Sequence, residues 1–214
     1  MHIPLPQNDR GTASANAVIT QIPIAEHLEA VAPAHRRRVV ARCGQPWDMR
    51  HLDPFAFLID PGLGYDIVVV VHFSSHCFTR SLKWDGRPLK TIPRGELFND
   101  GQDIRVLCEQ RHALSLKYLP RLIHELPQRL IRFARDLPQN FITTESVDDD
   151  PSSPRQHYVM FFDVSRDPKR KRRLLLKVQS AYSKESLEPR LIKGRRISFA
   201  TLLRATCTRQ QLKA

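Results

Sequence analysis

A run of five β-branched residues, Ile67–Val71, is the feature that most constrains how this chain can fold. It lies within Asp66–Phe73, and continuous apolar runs of this length are typical of a β-strand covered on both faces. The run is far shorter than the roughly 18 apolar residues that a membrane-spanning helix requires. The chain therefore needs a sheet with further layers packed against it, and no membrane partner is expected.

The segments around this strand show helical and then extended patterns. Helices are predicted at 24–42, where Pro33 divides the segment, at 109–126, where Pro120 should bend or restart the helix, and at 184–193. Period-two patterns predict strands at 129–135, 140–145, 157–164 and 174–182. This order predicts an α+β fold, with N-terminal helices and a central helix packed on a mainly antiparallel β-sheet.

The positive charge of the chain is unevenly distributed. The net charge is +12, and residues 1–60 contain six Lys/Arg and six Asp/Glu, whereas residues 61–214 contain 28 and 16. We therefore predict an N-terminal arm and helical extension at 1–60, followed by a basic α+β domain at 61–214. Such a basic region favours a polyanionic partner, and its cationic side chains are expected to converge on one groove.

The cysteines and the N-terminus indicate a cytoplasmic protein. The four cysteines are far apart and do not form the spacing of a disulfide scaffold. The first ten residues contain no basic start followed by an apolar segment, so no secretory signal is predicted. The cysteines are Cys43, Cys77, Cys108 and Cys207.

Residues 166–173 form the densest basic segment, with six basic residues in eight positions. At the tip of a hairpin between two predicted strands, these side chains would extend into solvent and follow a phosphate backbone, gaining affinity through counterion release. A solvated turn without a partner is the alternative. The candidate nucleic-acid-binding residues are Lys169, Arg170, Lys171, Arg172 and Arg173.

A group of histidines and cysteines follows the Ile67–Val71 run. His72, His76 and Cys77, together with Cys108, supply the residue types that bind zinc. Their spacing lacks the paired C-x₂-C arrangement of zinc sites, and a hydrogen-bonded histidine beside a buried cysteine is the alternative. We therefore expect neither a metal nor any other cofactor, and keep zinc as the lesser hypothesis.

Arg111-His112 lies near the start of the predicted central helix. A histidine can transfer protons near neutral pH, and an adjacent arginine offers a planar fork to a phosphate oxygen. Exposed residues on a helix surface without a function are the alternative.

The order of the predicted elements supports the hypothesis that Arg111-His112 belongs to a catalytic site. The basic helix that runs from this pair to Ile123 is followed by a connection at Glu125–Pro127 and then by an antiparallel sheet, whose later strands include Tyr158–Phe162 and Leu175–Tyr182. Through this order, residues 105–182 resemble the barnase–colicin–RelE-like group of ribonuclease toxins. The resemblance implies catalytic side chains on the helix and the sheet face: Arg111, His112, Lys177, Ser180 and Tyr182. The chain also resembles uncharacterised proteins of bacterial mobile elements.

The resemblance implies an RNA-targeting toxin or anti-phage defence effector that works as a metal-independent endoribonuclease, with RNA and an inhibitor protein or antitoxin as partners. His112 would transfer protons, Arg111 and Lys177 would stabilise charge, and Tyr182 would stack on a base. Lys177 and Ser180 differ by an odd number, so they share a face of a strand only if a bulge intervenes. The alternatives are a non-catalytic nucleic-acid-binding protein, an interaction module for an acidic partner, and a zinc-dependent enzyme.

Overall fold

The expected layers surround one large sheet. A computed structural model describes residues 18–36, 40–134, 141–147, 156–187, 189 and 194–212. Within these residues, eight strands pair side by side. In spatial order they are β1 (Thr20–Ile22), β4 (Phe55–Ile59), β5 (Ile67–Phe73), β12 (Arg173–Lys184), β11 (Gln156–Arg166), β10 (Phe141–Val147), β9 (Leu130–Phe133) and β13 (Arg196–Ser198).

The sheet is antiparallel except at its centre. There β5 and β12 run parallel, from Val68 opposite Arg173 to Phe73 opposite Val178. This central position explains the continuous β-branched run of β5, because four of its first five residues are buried. The mainly antiparallel sheet with packed helices confirms the predicted α+β class.

Two helices cover one face of the sheet. They are α2 (Glu109–His124) and α3 (Phe199–Thr208), and a four-residue helix, α1 (Leu82–Asp85), lies outside this layer. The apolar side of α2 buries Leu119 and Leu122 against the large hydrophobic cluster that also contains Leu176 of β12. Pro120 was predicted to bend or restart this helix, and α2 runs through Pro120 as one element without a restart.

The N-terminal segment forms two short 3₁₀-helices rather than long amphipathic helices. They occupy Ile24–Ala30 and Pro33–His35, and β2 (Val40–Arg42) follows and pairs with β3 (Gln45–Trp47). The first of them covers the opposite face of the sheet, where Val31 packs with Ala56 and Val70. Further 3₁₀-helices are found at Arg50–Leu52, Ser75–Cys77, Leu89–Thr91, Arg94–Glu96 and Leu126–Gln128.

The boundary predicted at residue 60 falls in the connection between two paired strands. β4 pairs with β5 from Phe55 opposite Val71 to Ile59 opposite Ile67, and side chains of both strands belong to one hydrophobic cluster. The change in charge at this position therefore does not separate two cores. Charge distribution reflects the surface of a protein, whereas shared burial decides where a domain ends.

A small three-stranded sheet packs beside the end of β5. It consists of β6 (Thr79–Ser81), β8 (Ile104–Leu107) and β7 (Leu97–Asn99), all antiparallel. Most of the arm at 1–24 and half of the helix predicted at 184–193 lie outside the described residues. Among the residues that are described, none of the helices is long and apolar enough to cross a membrane.

Candidate functional site

A cleft of 690 Å³ lies where β12 extends beyond the end of β5. Its walls come from this end of β12, which still pairs with β11, from the first turn of α2, and from the small sheet with α1. We name it the Arg111 cleft. It is lined by His76, Arg80, Ser81, Trp84, Arg105, Cys108, Gln110, Arg111, Ser180, Tyr182, Ser183 and Lys184.

Arg111 is held in place by backbone and aromatic contacts rather than by a carboxylate. Its Nη1 donates to the carbonyl oxygens of His76 at 3.0 Å and Thr79 at 2.8 Å, and its guanidinium lies 4.8 Å from the centre of the Tyr182 ring. Burial lowers the pKa of Arg111. Among the described residues, no Asp or Glu forms an ion pair with it.

Arg105 is the second arginine of the cleft and is more deeply buried than Arg111. Only 6% of the residue is exposed, and its Nε donates to Thr79 Oγ1 at 2.7 Å. Burial lowers the pKa of Arg105, an effect that the charge of Asp100 opposes and that of Arg111 reinforces. No described carboxylate pairs with Arg105 either. Because buried charges are normally paired, two unpaired guanidinium groups in one cleft suit an anionic ligand.

The remaining cations of the cleft have partners. Arg80 lies 2.6 Å from Asp85, whose pKa falls to about 2 because of its hydrogen bonds to Arg87 and then Arg80. Lys184 Nζ lies 5.8 Å from the centre of the Tyr182 ring. The described lining includes four cationic side chains and no Asp or Glu. Trp84, which is 76% exposed, adds an aromatic surface at the mouth of the cleft.

Three of the predicted catalytic residues meet in this cleft: Arg111, Ser180 and Tyr182. Ser180 reaches it because β12 contains a bulge. Phe161 and Phe162 of β11 lie opposite Ser180 and Val178, so Gln179 is an extra residue. The bulge reverses the alternation of the strand, and Lys177 and Ser180 are both half-buried while Val178 and Ala181 are fully buried.

Lys177 nevertheless lines a different cavity. This neighbouring space of 470 Å³, which we name the Lys177 cavity, shares His76 with the Arg111 cleft. Lys177 is therefore adjacent to the cleft rather than part of it, which separates it from the predicted group.

His112 faces away from the cleft, which corrects its placement with Arg111. Its ring stacks on Trp47 at 4.5 Å, and its Nε2 lies 2.9 Å from the Asp48 carbonyl oxygen. Consecutive residues point about 100° apart around an α-helix, so Arg111 and His112 contact different neighbours. His51 lies beside His112. The pKa of His51 is lowered to about 4, first by burial and then by the charge of His112.

His76 is the histidine that the cleft contains. It belongs to the 3₁₀-helix after β5, and burial, followed by the positive charge of Arg105, lowers the pKa of its imidazole. The sequence indicated His76 only as a zinc ligand. Its position directly after a buried strand was the available signal, because strand ends frequently carry functional side chains.

The zinc hypothesis has no assembled site in the part of the chain that the structure describes. There, no group of three or more His, Cys, Asp or Glu side chains could hold a metal ion. His76 and Cys108 line the cleft and Cys77 is buried, whereas the His72 ring packs against that of His35 at 5.3 Å.

The basic hairpin tip, residues 166–173, lies at the opposite end of β12. Arg173 is only 1% exposed and pairs with Asp167 and, at 2.6 Å, with Glu29. This corrects the expectation that all five candidate residues extend into solvent. The other four are exposed: Arg170 pairs with Glu29, Arg172 lies over the Tyr65 ring, and Lys169 and Lys171 complete the set.

The tip and the cleft therefore do not form one groove. Ser180 follows Arg173 by seven positions along β12, which corresponds to about 23 Å at the usual strand rise. The expected convergence of cationic side chains occurs only within the Arg111 cleft.

Comparison with known proteins identifies a family. The model of the YjaZ family matches residues 39–207, and the chain belongs to this family. No curated protein and no solved structure matches the chain. The matched segment contains every residue of the Arg111 cleft.

Proposed function

We propose that this member of the YjaZ family binds single-stranded RNA in the Arg111 cleft. The observation that carries the proposal is the pair Arg105 and Arg111, one buried and one half-buried guanidinium group that form no ion pair with a described carboxylate in one cleft. A phosphate group would supply the missing negative charge and accept charge-assisted hydrogen bonds from both forks.

The aromatic side chains favour a single strand over a duplex. Trp84 is exposed at the mouth of the cleft, and Tyr182 lies beneath Arg111. Unpaired bases stack on such rings, whereas the bases of a duplex are stacked on one another. Ser180 and Ser183 also line the cleft and would offer hydroxyl partners to the ribose 2′-hydroxyl.

Fluorescence anisotropy with labelled oligonucleotides tests this proposal. We expect single-stranded RNA to bind more tightly than duplex RNA or single-stranded DNA of the same sequence. Arg111→Gln should weaken binding at least about tenfold, because a charge-assisted contact contributes roughly 1.5–3 kcal/mol. Trp84→Ala should cost about 1–3 kcal/mol through lost stacking.

A matched control separates a site from general charge attraction. Lys117→Gln removes one positive charge from an exposed position of the same helix and should change affinity less than about twofold. Circular dichroism would verify that each variant is folded. Equal weakening by Lys117→Gln and Arg111→Gln, or the absence of binding to single-stranded RNA, would contradict the proposal.

RNA cleavage by a toxin or defence effector is the second candidate, and His76 is the observation that favours it. Its lowered pKa leaves a neutral imidazole near pH 7 beside Arg105 and Arg111. In metal-independent cleavage, the 2′-oxygen attacks phosphorus, the bond to the 5′-oxygen breaks, and a 2′,3′-cyclic phosphate forms. His76 would take the 2′-proton, the Tyr182 hydroxyl would protonate the leaving 5′-oxygen, and the arginines would stabilise the phosphorane charge.

Induced expression followed by sequencing of RNA ends tests this second candidate. We expect growth arrest and new RNA ends with the natural chain, and neither with His76→Gln. His112→Gln should retain both, because His112 lies outside the cleft. An inhibitor protein or antitoxin would relieve the arrest on co-expression. Arrest that persists in His76→Gln would exclude this role for His76.

A further inference from the structure

The Lys177 cavity adjoins the Arg111 cleft but differs from it in charge. It lies between the end of β5 and the turn after β7, and His76 belongs to both spaces. Besides His76 and His35, its described ionisable lining residues are one lysine, Lys177, and one acid, Asp100. The cleft, by comparison, has four cations and no acid. A nearly neutral cavity suits an uncharged polar group better than a second phosphate.

The only described acid of the Lys177 cavity is already engaged. One oxygen of Asp100 accepts the Ser75 hydroxyl at 2.7 Å, and the other accepts the backbone N–H groups of Gln102 at 3.0 Å and Asp103 at 2.8 Å. These bonds fix the shape of the turn, so the wall of the cavity is preformed. Asp100 therefore stabilises the wall of the cavity through these hydrogen bonds rather than repelling an incoming ligand.

Two side-chain amides are oriented by their own hydrogen bonds. Asn99, which lines the cavity, accepts the Gly101 N–H at 2.9 Å through its Oδ1, so its NH₂ group remains as a donor. Gln179 Nε2 donates to Asp163 Oδ1 at 2.6 Å, which leaves the Gln179 amide oxygen as an acceptor. Gln179 is also the extra residue of the β12 bulge, so the bulge supplies this acceptor.

An aromatic ring completes the surroundings. Phe98 is half-buried in the wall of the cavity and packs edge-on against Phe78 at 5.1 Å. A donor, an acceptor and an aromatic surface are the groups with which proteins recognise the edge and the face of an unpaired base.

We infer that the Lys177 cavity binds the nucleobase of the nucleotide next to the one whose phosphate occupies the Arg111 cleft. The shared His76 would then lie beside the linkage between the two nucleotides, and Lys177 would contact the flanking phosphate. This inference rests on the proposed binding of single-stranded RNA. It adds that the protein has a base preference at one position, which Asn99 and Gln179 determine.

The inference is tested by measuring binding of the full chain to pools of short single-stranded RNAs. Each pool is randomised at one position, and every position is randomised in turn. We expect a preference of about tenfold for one base at one position, in the range that a bidentate contact provides. Asn99→Asp keeps the oxygen that accepts from Gly101 but replaces the donor by an acceptor, so the preference should disappear or change. Gln179→Met removes the acceptor at similar size and should reduce the preference in the same position.

Gln128→Glu is the matched control, because it makes the same change in charge as Asn99→Asp at an exposed residue outside both cavities. It should retain the natural preference. Binding of RNA by the natural chain without any base preference would overturn the inference and leave RNA binding intact. A preference that persists in both Asn99→Asp and Gln179→Met would also overturn it. Absence of RNA binding by the natural chain would overturn both proposals together.

Discussion

The Arg111 cleft and the basic hairpin tip both contain several cationic side chains, but they differ in how those charges are compensated. At the tip, Arg173 is buried and pairs with the buried Asp167 and the exposed Glu29, and the neighbours of Arg173 are exposed to water. In the cleft, Arg105 is buried and Arg111 half-buried, and neither forms an ion pair with a described carboxylate. The denser charge run is therefore partly structural, whereas the scattered arginines form the better candidate for anion binding.

The partner of Arg173 explains the structural role of the tip. Glu29 and His27 belong to the N-terminal 3₁₀-helix Ile24–Ala30, and Arg173 contacts both. Arg173 thus joins the N-terminal segment to the hairpin of β11 and β12. A basic residue in a run can act as an internal cross-link, which a charge count does not reveal.

The largest expected effect is on stability at the tip. Arg173→Met should lower the free energy of unfolding by about 3–5 kcal/mol, because it leaves the buried Asp167 carboxylate without its partner. Urea denaturation measures this change. Lys171→Met, an exposed neighbour, should change stability by less than about 0.5 kcal/mol. Similar free energies of unfolding for the two variants would mean that Arg173 contributes no more to stability than the exposed Lys171.

In the cleft, we expect that replacing an arginine by methionine does not lower the stability of the protein. Arg105→Met removes a buried cation that forms no ion pair with a described carboxylate, so the free energy of unfolding should stay unchanged or rise by about 1 kcal/mol. RNA affinity should fall by about 1.5–3 kcal/mol. Arg80→Met is the comparison, because Arg80 is paired with Asp85 and its loss should destabilise the fold. A strongly destabilised Arg105→Met variant would show that Arg105 is structural.

The salt dependence of RNA binding shows whether the tip assists the cleft. Neutralising Lys169 and Lys171 together should reduce the slope of log affinity against log salt by about 1.4 for a 20-nucleotide RNA that spans both surfaces. A tetranucleotide, which fits the cleft alone, should show the natural slope. An unchanged slope with the long RNA would remove the tip from the binding surface.

The smallest expected effect is a pH dependence of RNA affinity at His76. In the free protein, burial and Arg105 hold the pKa of His76 below 6.5, so the imidazole is neutral at pH 7. A bound phosphate would favour the protonated form and raise this pKa. The complex would then bind more protons than the free protein, so affinity should rise severalfold as pH falls from 7.5 to about 5.5. In titrations of His76→Gln, this rise should be absent.

Local patterns predicted much of the fold. The β-branched run of β5, the helix from Glu109 and the hairpin of β11 and β12 are all present, because side-chain periodicity reflects which face of an element is buried. The N-terminal segment was less predictable, since Pro33 and short apolar patterns there are compatible with 3₁₀-helices as well as α-helices. The location of β4 and β5 in one sheet also could not be derived from charge.

The candidate site was only partly predictable. Arg111, Ser180 and Tyr182, three of the predicted catalytic residues, line one cleft, but Arg105, Trp84 and His76 were not assigned to a common site with them. The bulge at Gln179 decides which side chains of β12 share a side, and such a one-residue insertion has no clear signal in a single sequence.

The sequence by itself determined the class of fold, the central buried strand and the excess of positive charge, since each depends on composition or on spacing within one segment. Only the tertiary structure decided which cations lack a counter-ion. Arg173 pairs with Glu29 across 144 positions of the chain, whereas Arg105 and Arg111 form no ion pair with a described carboxylate. Pairing of charges depends on distances of a few ångströms between remote segments, and folding alone sets those distances.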